Sequence, residues 1–239
     1  LFKNKIKDHN NFENNNKIFQ IYNKSKIIVK NFDKENSFKK ELKFYQYLKK
    51  NNLNDCPKIL KISHNRKVIK YSFIKKKNNL NINKLISKNI KFINKINSVA
   101  IKKNSFSLAK DVCLDGISYK LELNKRFKSS KKILNSIKVK ESKLLYKKLL
   151  QKFESLIENN YFDKINKINK NDLILSPCDY HSKNMIVNNR KIFYIDFEYS
   201  GLDDLSKLFA VYFLQPEKKI SLKFYFKYRG FINKIFKLD

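Results

Sequence analysis

Residues 175–199 leave this chain few choices of fold. The run Leu175-Ser-Pro-Cys-Asp-Tyr-His-Ser-Lys-Asn-Met-Ile-Val187 is followed closely by Lys191-Ile-Phe-Tyr-Ile-Asp-Phe-Glu-Tyr199. Asp179 and Asn184 lie five residues apart in a polar loop, and Asp196 comes twelve residues after Asn184, closing the run Ile192-Phe193-Tyr194-Ile195. Short apolar runs separated by polar residues read as strands and turns, so the segment predicts a strand, a loop and a hairpin ending on a carboxylate. Asp and Asn are ordinary loop residues taken singly. Finding all three in register with two strands is much less usual by accident.

The chemistry of these residue types at this spacing is specific. Phosphoryl transfer needs one carboxylate to take the acceptor hydroxyl's proton, and an amide with a second carboxylate to hold Mg²⁺ against nucleotide phosphates. A D-x-x-x-x-N loop, a hairpin and a further Asp is how kinases supply those parts.

At these residues the chain resembles a family. Asp179-Tyr-His-Ser-Lys-Asn184 is similar to the D-x-H-x-x-N loop of the aminoglycoside phosphotransferase and choline/ethanolamine kinase superfamily, and Ile195-Asp-Phe-Glu-Tyr-Ser200 to the segment that follows it there. The stretch Gly201-Leu-Asp-Asp-Leu-Ser-Lys-Leu208 looks like that family's turn into its next helix. The resemblance implies Asp179 as catalytic base, Asn184 as magnesium ligand and Asp196 as the bridge between metal and phosphates. One departure is Pro177, which stands where the family usually has a His that pins the loop to the second motif. His181 within the loop reads either as a structural hydrogen-bonder or as a catalytic group. Glu198 reads either as a supporting contact to Asp196 or as a solvent-facing residue.

Further upstream, the pattern supplies the remaining kinase parts. Residues 18–22, 27–30, 57–62 and 67–74 read as strands, and 38–50 as a helix with Asn36 or Ser37 as its cap and Phe38, Leu42, Tyr45 and Leu48 as its apolar stripe. A strand Lys that contacts phosphates and a helix Glu that orients it are expected of a kinase, and Lys30 and Glu41 occupy those places as nucleotide-binding residues. The alternative leaves Lys30 a strand-end charge and Glu41 a solvated helix residue. The Gly-free segment 10–17 reads either as an Asn-rich phosphate loop or as a polar terminus. Residues 71–74 stand where an adenine-binding hinge belongs.

From residue 80 onward the pattern turns helical, over 82–96, 121–127, 131–137, 142–157, 204–214 and 221–236, with a low-complexity spacer at 164–170. The expectation is a protein-kinase-like, two-lobed α+β fold. A strand-rich N-terminal nucleotide-binding lobe spans 1–76, and a mainly helical catalytic and substrate lobe spans 77–239. The chain begins at Leu1 rather than Met, so either the start is unusual or the sequence is a fragment, and it is short for the family.

Composition bounds the partners. With 239 residues, 42% hydrophobic and 14% aromatic, the chain can bury a core. A net charge of +33 invites a nucleic-acid reading. The charge is nearly all Lys, however, and Arg66, Arg126, Arg190 and Arg229 are the only arginines, so specific nucleic-acid recognition is poorly supported. Three scattered cysteines argue against a disulfide framework, and no apolar run reaches membrane-spanning length, which points to the cytoplasm.

The activity these features imply is transfer of the γ-phosphoryl of ATP, with Mg²⁺, to a small-molecule hydroxyl on a sugar, an amino alcohol or similar compound. Alternatives are a catalytically silent kinase-like nucleotide-binding or scaffold protein and, behind it, a basic nucleic-acid-binding protein.

Overall fold

A computed structural model describes residues 6–8, 18–21, 27–77, 80–99, 105–136, 140–214 and 220–236. The expected phosphate loop at 10–17 and the turn at 23–25 lie outside them. Two compact units emerge, one formed by residues 1–110 with 174–239 and the other by 111–173.

The first unit opens with an antiparallel sheet. Strands β1 (Ile6–Asp8), β2 (Ile18–Ile21), β3 (Ile27–Asn31), β4 (Ile59–Ser63) and β5 (Val68–Ser72) are arranged in the order β1-β2-β3-β5-β4. Ile27, Ile28 and Val29 are β-branched residues that suit a central strand, and β3 pairs on one side with β2 and on the other with β5. That register sets Lys30 opposite Ile69 in the middle of the sheet.

Helix α1 (Glu35–Lys50) crosses between β3 and β4. Its apolar stripe is the expected one, with Phe38, Leu42, Tyr45 and Leu48 all buried, and Phe44 and Glu41 buried beside them. The start differs from expectation. Extended Lys34 precedes the helix without a side-chain cap, and Asn36 and Ser37 lie inside the first turn. Glu35 in the first turn and Lys49 and Lys50 in the last complement the helix dipole instead.

Helix α2 (Ile82–Asn97) is capped by Asn81, whose side chain accepts from the Asn83 amide at 2.8 Å. It buries Leu85, Ile86, Ile90, Ile93 and Ile96, each worth roughly 1.5–3 kcal/mol of transfer energy. Against it lie β6 (Ile174–Ser176), paired with β9 (Gly201–Asp203), and the hairpin of β7 (Met185–Asn188) with β8 (Lys191–Tyr194). Asn189 and Arg190 turn the hairpin with both φ angles positive, 46° and 66°, the backbone of a two-residue turn that matches strand twist. Helices α5 (Leu205–Phe213), capped by Asp204, and α6 (Leu222–Phe236) complete the unit.

The second unit is a helical pair, α3 (Gly116–Ser136) and α4 (Lys140–Glu158). Helix α3 runs unbroken where two shorter helices were expected, and Ser129 is accommodated by donating back to the Lys125 carbonyl at 3.0 Å. Phe127 stacks on Phe153 at 5.0 Å, and Phe162 meets Phe153 edge-on.

Candidate active site

The site forms within the first unit, where β3, α1, the loop after β6 and the segment after β8 converge. Lys30 is only 5% exposed, and its Nζ lies 2.6 Å from Glu41 Oε2, 2.5 Å from Asp196 Oδ1 and 3.5 Å from Glu198 Oε2. The other oxygen of Glu41 accepts from the Tyr71 hydroxyl at 2.7 Å, so both carboxylate oxygens are held. Phe197 follows Asp196 and is clamped in the core by Phe44 and Tyr45, at 4.4 and 5.1 Å between ring centroids. Asp196 itself takes a left-handed backbone, φ 67°, which re-aims the chain after β8 and lets Asp196 and Glu198 converge on the same ammonium.

Three carboxylates around one ammonium leave an excess of negative charge in a dry place. Burial works against the Lys30 ammonium, yet Glu41, Asp196 and Glu198 outweigh it and raise its pKa. Burial also raises Glu41, with Asp196 adding to the effect and Lys30 opposing it. Oxygens of Glu41, Asp196 and Glu198 all lie within 4.8 Å of one another, with the Lys30 ammonium among them.

The second group is the loop 177–184, which is tightly wound. The amides of Asp179, Tyr180 and His181 each bond the carbonyl two residues back, and Cys178 adopts φ 67°. Asp179 Oδ1 receives His181 Nε2 at 3.1 Å, while His181 Nδ1 accepts from the Lys183 amide at 3.2 Å, which assigns the imidazole proton to Nε2. Asn184 Nδ2 donates to the Asp179 carbonyl at 3.0 Å. Burial pushes the Asp179 carboxyl up, but hydrogen bonds from His181 and Asn184 and the charge of Lys110 prevail and hold it below the usual carboxylate range. It is therefore ionised at neutral pH and able to accept a proton.

The five expected residues thus fall into two groups. Lys30, Glu41 and Asp196 are in direct contact, Asp179 and Asn184 share the loop, and the main-chain bond from Ile195 N to Asn184 O at 3.1 Å joins the groups. Pro177 offers no side-chain hydrogen bond to anchor the loop, which is held by its neighbours instead. Buried Ser176 accepts from the Cys178 amide at 2.9 Å and approaches Asp203 Oδ2 at 3.4 Å, and Asp203 in turn receives Lys207 Nζ at 3.1 Å. Sequence reasoning missed Ser176 and Asp203, named Tyr71 only as part of a hinge and not as a partner of Glu41, and left Glu198 open; at 2% exposed, Glu198 faces the ion cluster rather than solvent. Only pairing across β6 and β9, which sets Ser176 opposite Gly201, brings the Ser176 anchor together, and no local signal announces it.

No protein-family model matches the chain, and no curated protein matches it by sequence. Solved structures do match over nearly its whole length. The streptomycin–ATP–APH(2")-IIa ternary complex aligns with a TM-score of 0.61 at 17% identity, over 98% of this chain and 77% of that one. The amicoumacin kinase hAmiN, in complex with AMP-PNP, Ca²⁺ and Ami, aligns with a TM-score of 0.58 at 12% identity, over 97% and 72%. Choline kinase LicA from Streptococcus pneumoniae aligns with a TM-score of 0.56 at 16% identity, over 97% and 74%. The chain has the kinase-like α+β fold shared by aminoglycoside phosphotransferases and choline and ethanolamine kinases, with a strand-rich N-terminal region and a mainly helical C-terminal one. Those structural neighbours are small-molecule kinases. Among the described residues, no helix is long and apolar enough to cross a membrane.

Proposed function

We propose that the chain is an ATP-dependent phosphotransferase acting on a hydroxyl of a small molecule such as a sugar or an amino alcohol. One observation carries the reading: the buried Lys30–Glu41–Asp196 cluster joined through Ile195 and Asn184 to an ionised Asp179. Solved structures of the same fold with ATP or AMP-PNP bound support it.

In this mechanism Asp179 accepts the proton of the acceptor hydroxyl as the new bond forms between that oxygen and the γ-phosphorus. The bond from the γ-phosphorus to the β–γ bridging oxygen breaks, and ADP departs with its electron pair. Lys30, oriented by Glu41, donates to the nucleotide phosphates. Asp196 and Asn184 would hold Mg²⁺, with Glu198 beside Asp196, and the bound cation would neutralise charge on the phosphates. Asn184 Nδ2 is engaged by the Asp179 carbonyl, which leaves its amide oxygen as the ligand atom. His181 keeps the Asp179 carboxylate charged and oriented. On this reading residues 1–76 carry the nucleotide and 77–239 carry catalysis and the acceptor.

Calorimetric titration with ATP, with and without Mg²⁺, beside an Asp196→Asn control tests the nucleotide site. Magnesium-dependent binding that disappears in the control supports it, and absence of binding in both proteins defeats it. Asp179→Ala is expected to abolish transfer while sparing nucleotide binding, and unchanged turnover in that variant removes Asp179 from the role.

A further inference from the structure

One buried amide sits behind all three of the residues assigned to proton and metal handling. Asn89 of α2 has no solvent exposure. Its Oδ1 accepts from the Tyr194 hydroxyl at 2.7 Å, its Nδ2 donates to the Tyr212 hydroxyl at 2.7 Å and lies 3.4 Å from Met185 Sδ, and its main-chain carbonyl accepts from the Tyr180 hydroxyl at 2.8 Å. Tyr180 adjoins Asp179, Met185 adjoins Asn184, and Tyr194 stands two residues before Asp196.

Packing makes these contacts stiff. Phe92, one turn along α2, stacks on Tyr194 at 3.8 Å between centroids, and Tyr180 lies between Tyr194 and Tyr212 at 5.8 and 5.5 Å. Burial raises the pKa of Tyr180, Tyr194 and Tyr212, so their hydroxyls stay protonated, Tyr180 and Tyr194 donating to Asn89 and Tyr212 accepting from it. Only a carboxamide offers a donor and an acceptor from one short side chain. Leu would satisfy neither tyrosine, and Asp would bury a charge and lose the donor. A buried network with every member satisfied selects one arrangement of the elements it joins.

We propose that Asn89 is a positioning residue for phosphoryl transfer: it locks Tyr180, Met185 and Tyr194 to α2 and thereby sets Asp179, Asn184 and Asp196 in one frame. This rests on the phosphotransfer reading above. Displacement of a reacting group by about 1 Å costs on the order of 100-fold in rate, so the lock acts on turnover more than on nucleotide affinity.

The test uses Tyr180→Phe and Tyr194→Phe, which keep the rings and delete one hydroxyl each, with Tyr212→Phe as control. The control removes the hydroxyl that accepts from Asn89 Nδ2, whereas Tyr194 donates to Asn89 Oδ1 and Tyr180 to the Asn89 main-chain carbonyl, and Tyr212 adjoins none of the three site residues. We expect kcat to fall about 10- to 100-fold in Tyr180→Phe and Tyr194→Phe with KM for ATP nearly unchanged, and less than about threefold in Tyr212→Phe, at matched thermal midpoints. Equal losses in all three variants, tracking their midpoints, would reduce the network to a stability device and overturn the proposal. So would wild-type kcat in Tyr180→Phe and Tyr194→Phe.

Amide hydrogen exchange of residues 178–185 separates this proposal from the phosphotransfer reading. It needs no turnover. Faster exchange in Tyr180→Phe and in Asn89→Leu, but not in Tyr212→Phe, upholds the lock even in a protein that transfers no phosphoryl group. Unchanged exchange in both removes it. Should Asn89→Leu fail to fold, Tyr180→Phe carries the same readout alone.

Discussion

The Tyr71 hydroxyl and Glu41 Oε1 are joined at 2.7 Å across β5 and α1, so the carboxylate oxygen that Lys30 leaves over is occupied by a neutral donor. The phenol thereby fixes the rotamer of Glu41 and, through it, the position of Lys30. Removing a hydroxyl from a buried carboxylate leaves an acceptor unsatisfied and costs about 1–3 kcal/mol. Tyr71→Phe is therefore expected to lose that much stability in denaturant unfolding and to weaken ATP binding in the same titration.

Lys30→Met exposes the charge imbalance directly. Buried Glu41 and Glu198 and half-buried Asp196 lose the ammonium they share, and breaking a buried pair from one side costs about 3–5 kcal/mol. The loss depends on pH. Glu41 has a folded pKa raised by burial, so its protonated form favours the folded state, and that contribution is full below its unfolded value and disappears as pH rises through the folded one. Without Lys30 that pKa rises further. Unfolding curves at pH 5 and pH 8 should thus show the variant recovering part of its deficit at the lower pH.

On the phosphotransfer reading, His181 is expected to govern the acid limb of the rate. Its hydrogen bond favours the charged form of Asp179, whose pKa lies below the usual carboxylate range. Stability drawn from Asp179 is present above its unfolded pKa and lost as pH falls through the lower folded one. His181→Ala removes the bond, so the acid limb of kcat against pH should move upward. A limb that stays in place would show that His181 does not set the charge of Asp179.

Gly201 is required by a close approach of backbone. A Cβ there would meet the Ser107 carbonyl oxygen at 2.4 Å, the Ala109 nitrogen at 2.7 Å and the Leu108 carbonyl carbon at 2.8 Å, and none of those atoms can swing aside. Gly201 also sits opposite Ser176, which anchors the 177–184 loop. Gly201→Ala should cost about 1–3 kcal/mol and lower transfer as well, read by thermal unfolding beside an activity assay.

The parts of this site that are local in sequence were the legible ones. The Asp179–Asn184 loop and the hairpin to Asp196 follow from short-range spacing. The Lys30–Glu41 contact follows from a strand Lys and a helix Glu in a strand–helix–strand order. Glu198 was not decidable, because strand alternation fails once Asp196 turns left-handed. Asn89 was invisible, since in a chain rich in Asn and Lys a polar helix residue reads as solvated, and its partners lie 91 to 123 residues away. The start of α1 was misplaced because its N-terminus uses no side-chain cap, and α3 ran on because Ser129 found an acceptor within the helix.

The hairpin of β7 and β8 acts as a ruler. Met185 pairs with Tyr194 and Asn188 with Lys191, so the interval from Asn184 to Asp196 is counted out by four cross-strand pairs, a two-residue turn and Ile195. Side chains alternate between faces along a strand, and deletion of a single residue from either strand would send Met185 or Tyr194 away from Asn89. Length is therefore negotiable only at Asn189 and Arg190. A library of insertions should find its tolerated members at that tip, and almost none between it and either end of the hairpin.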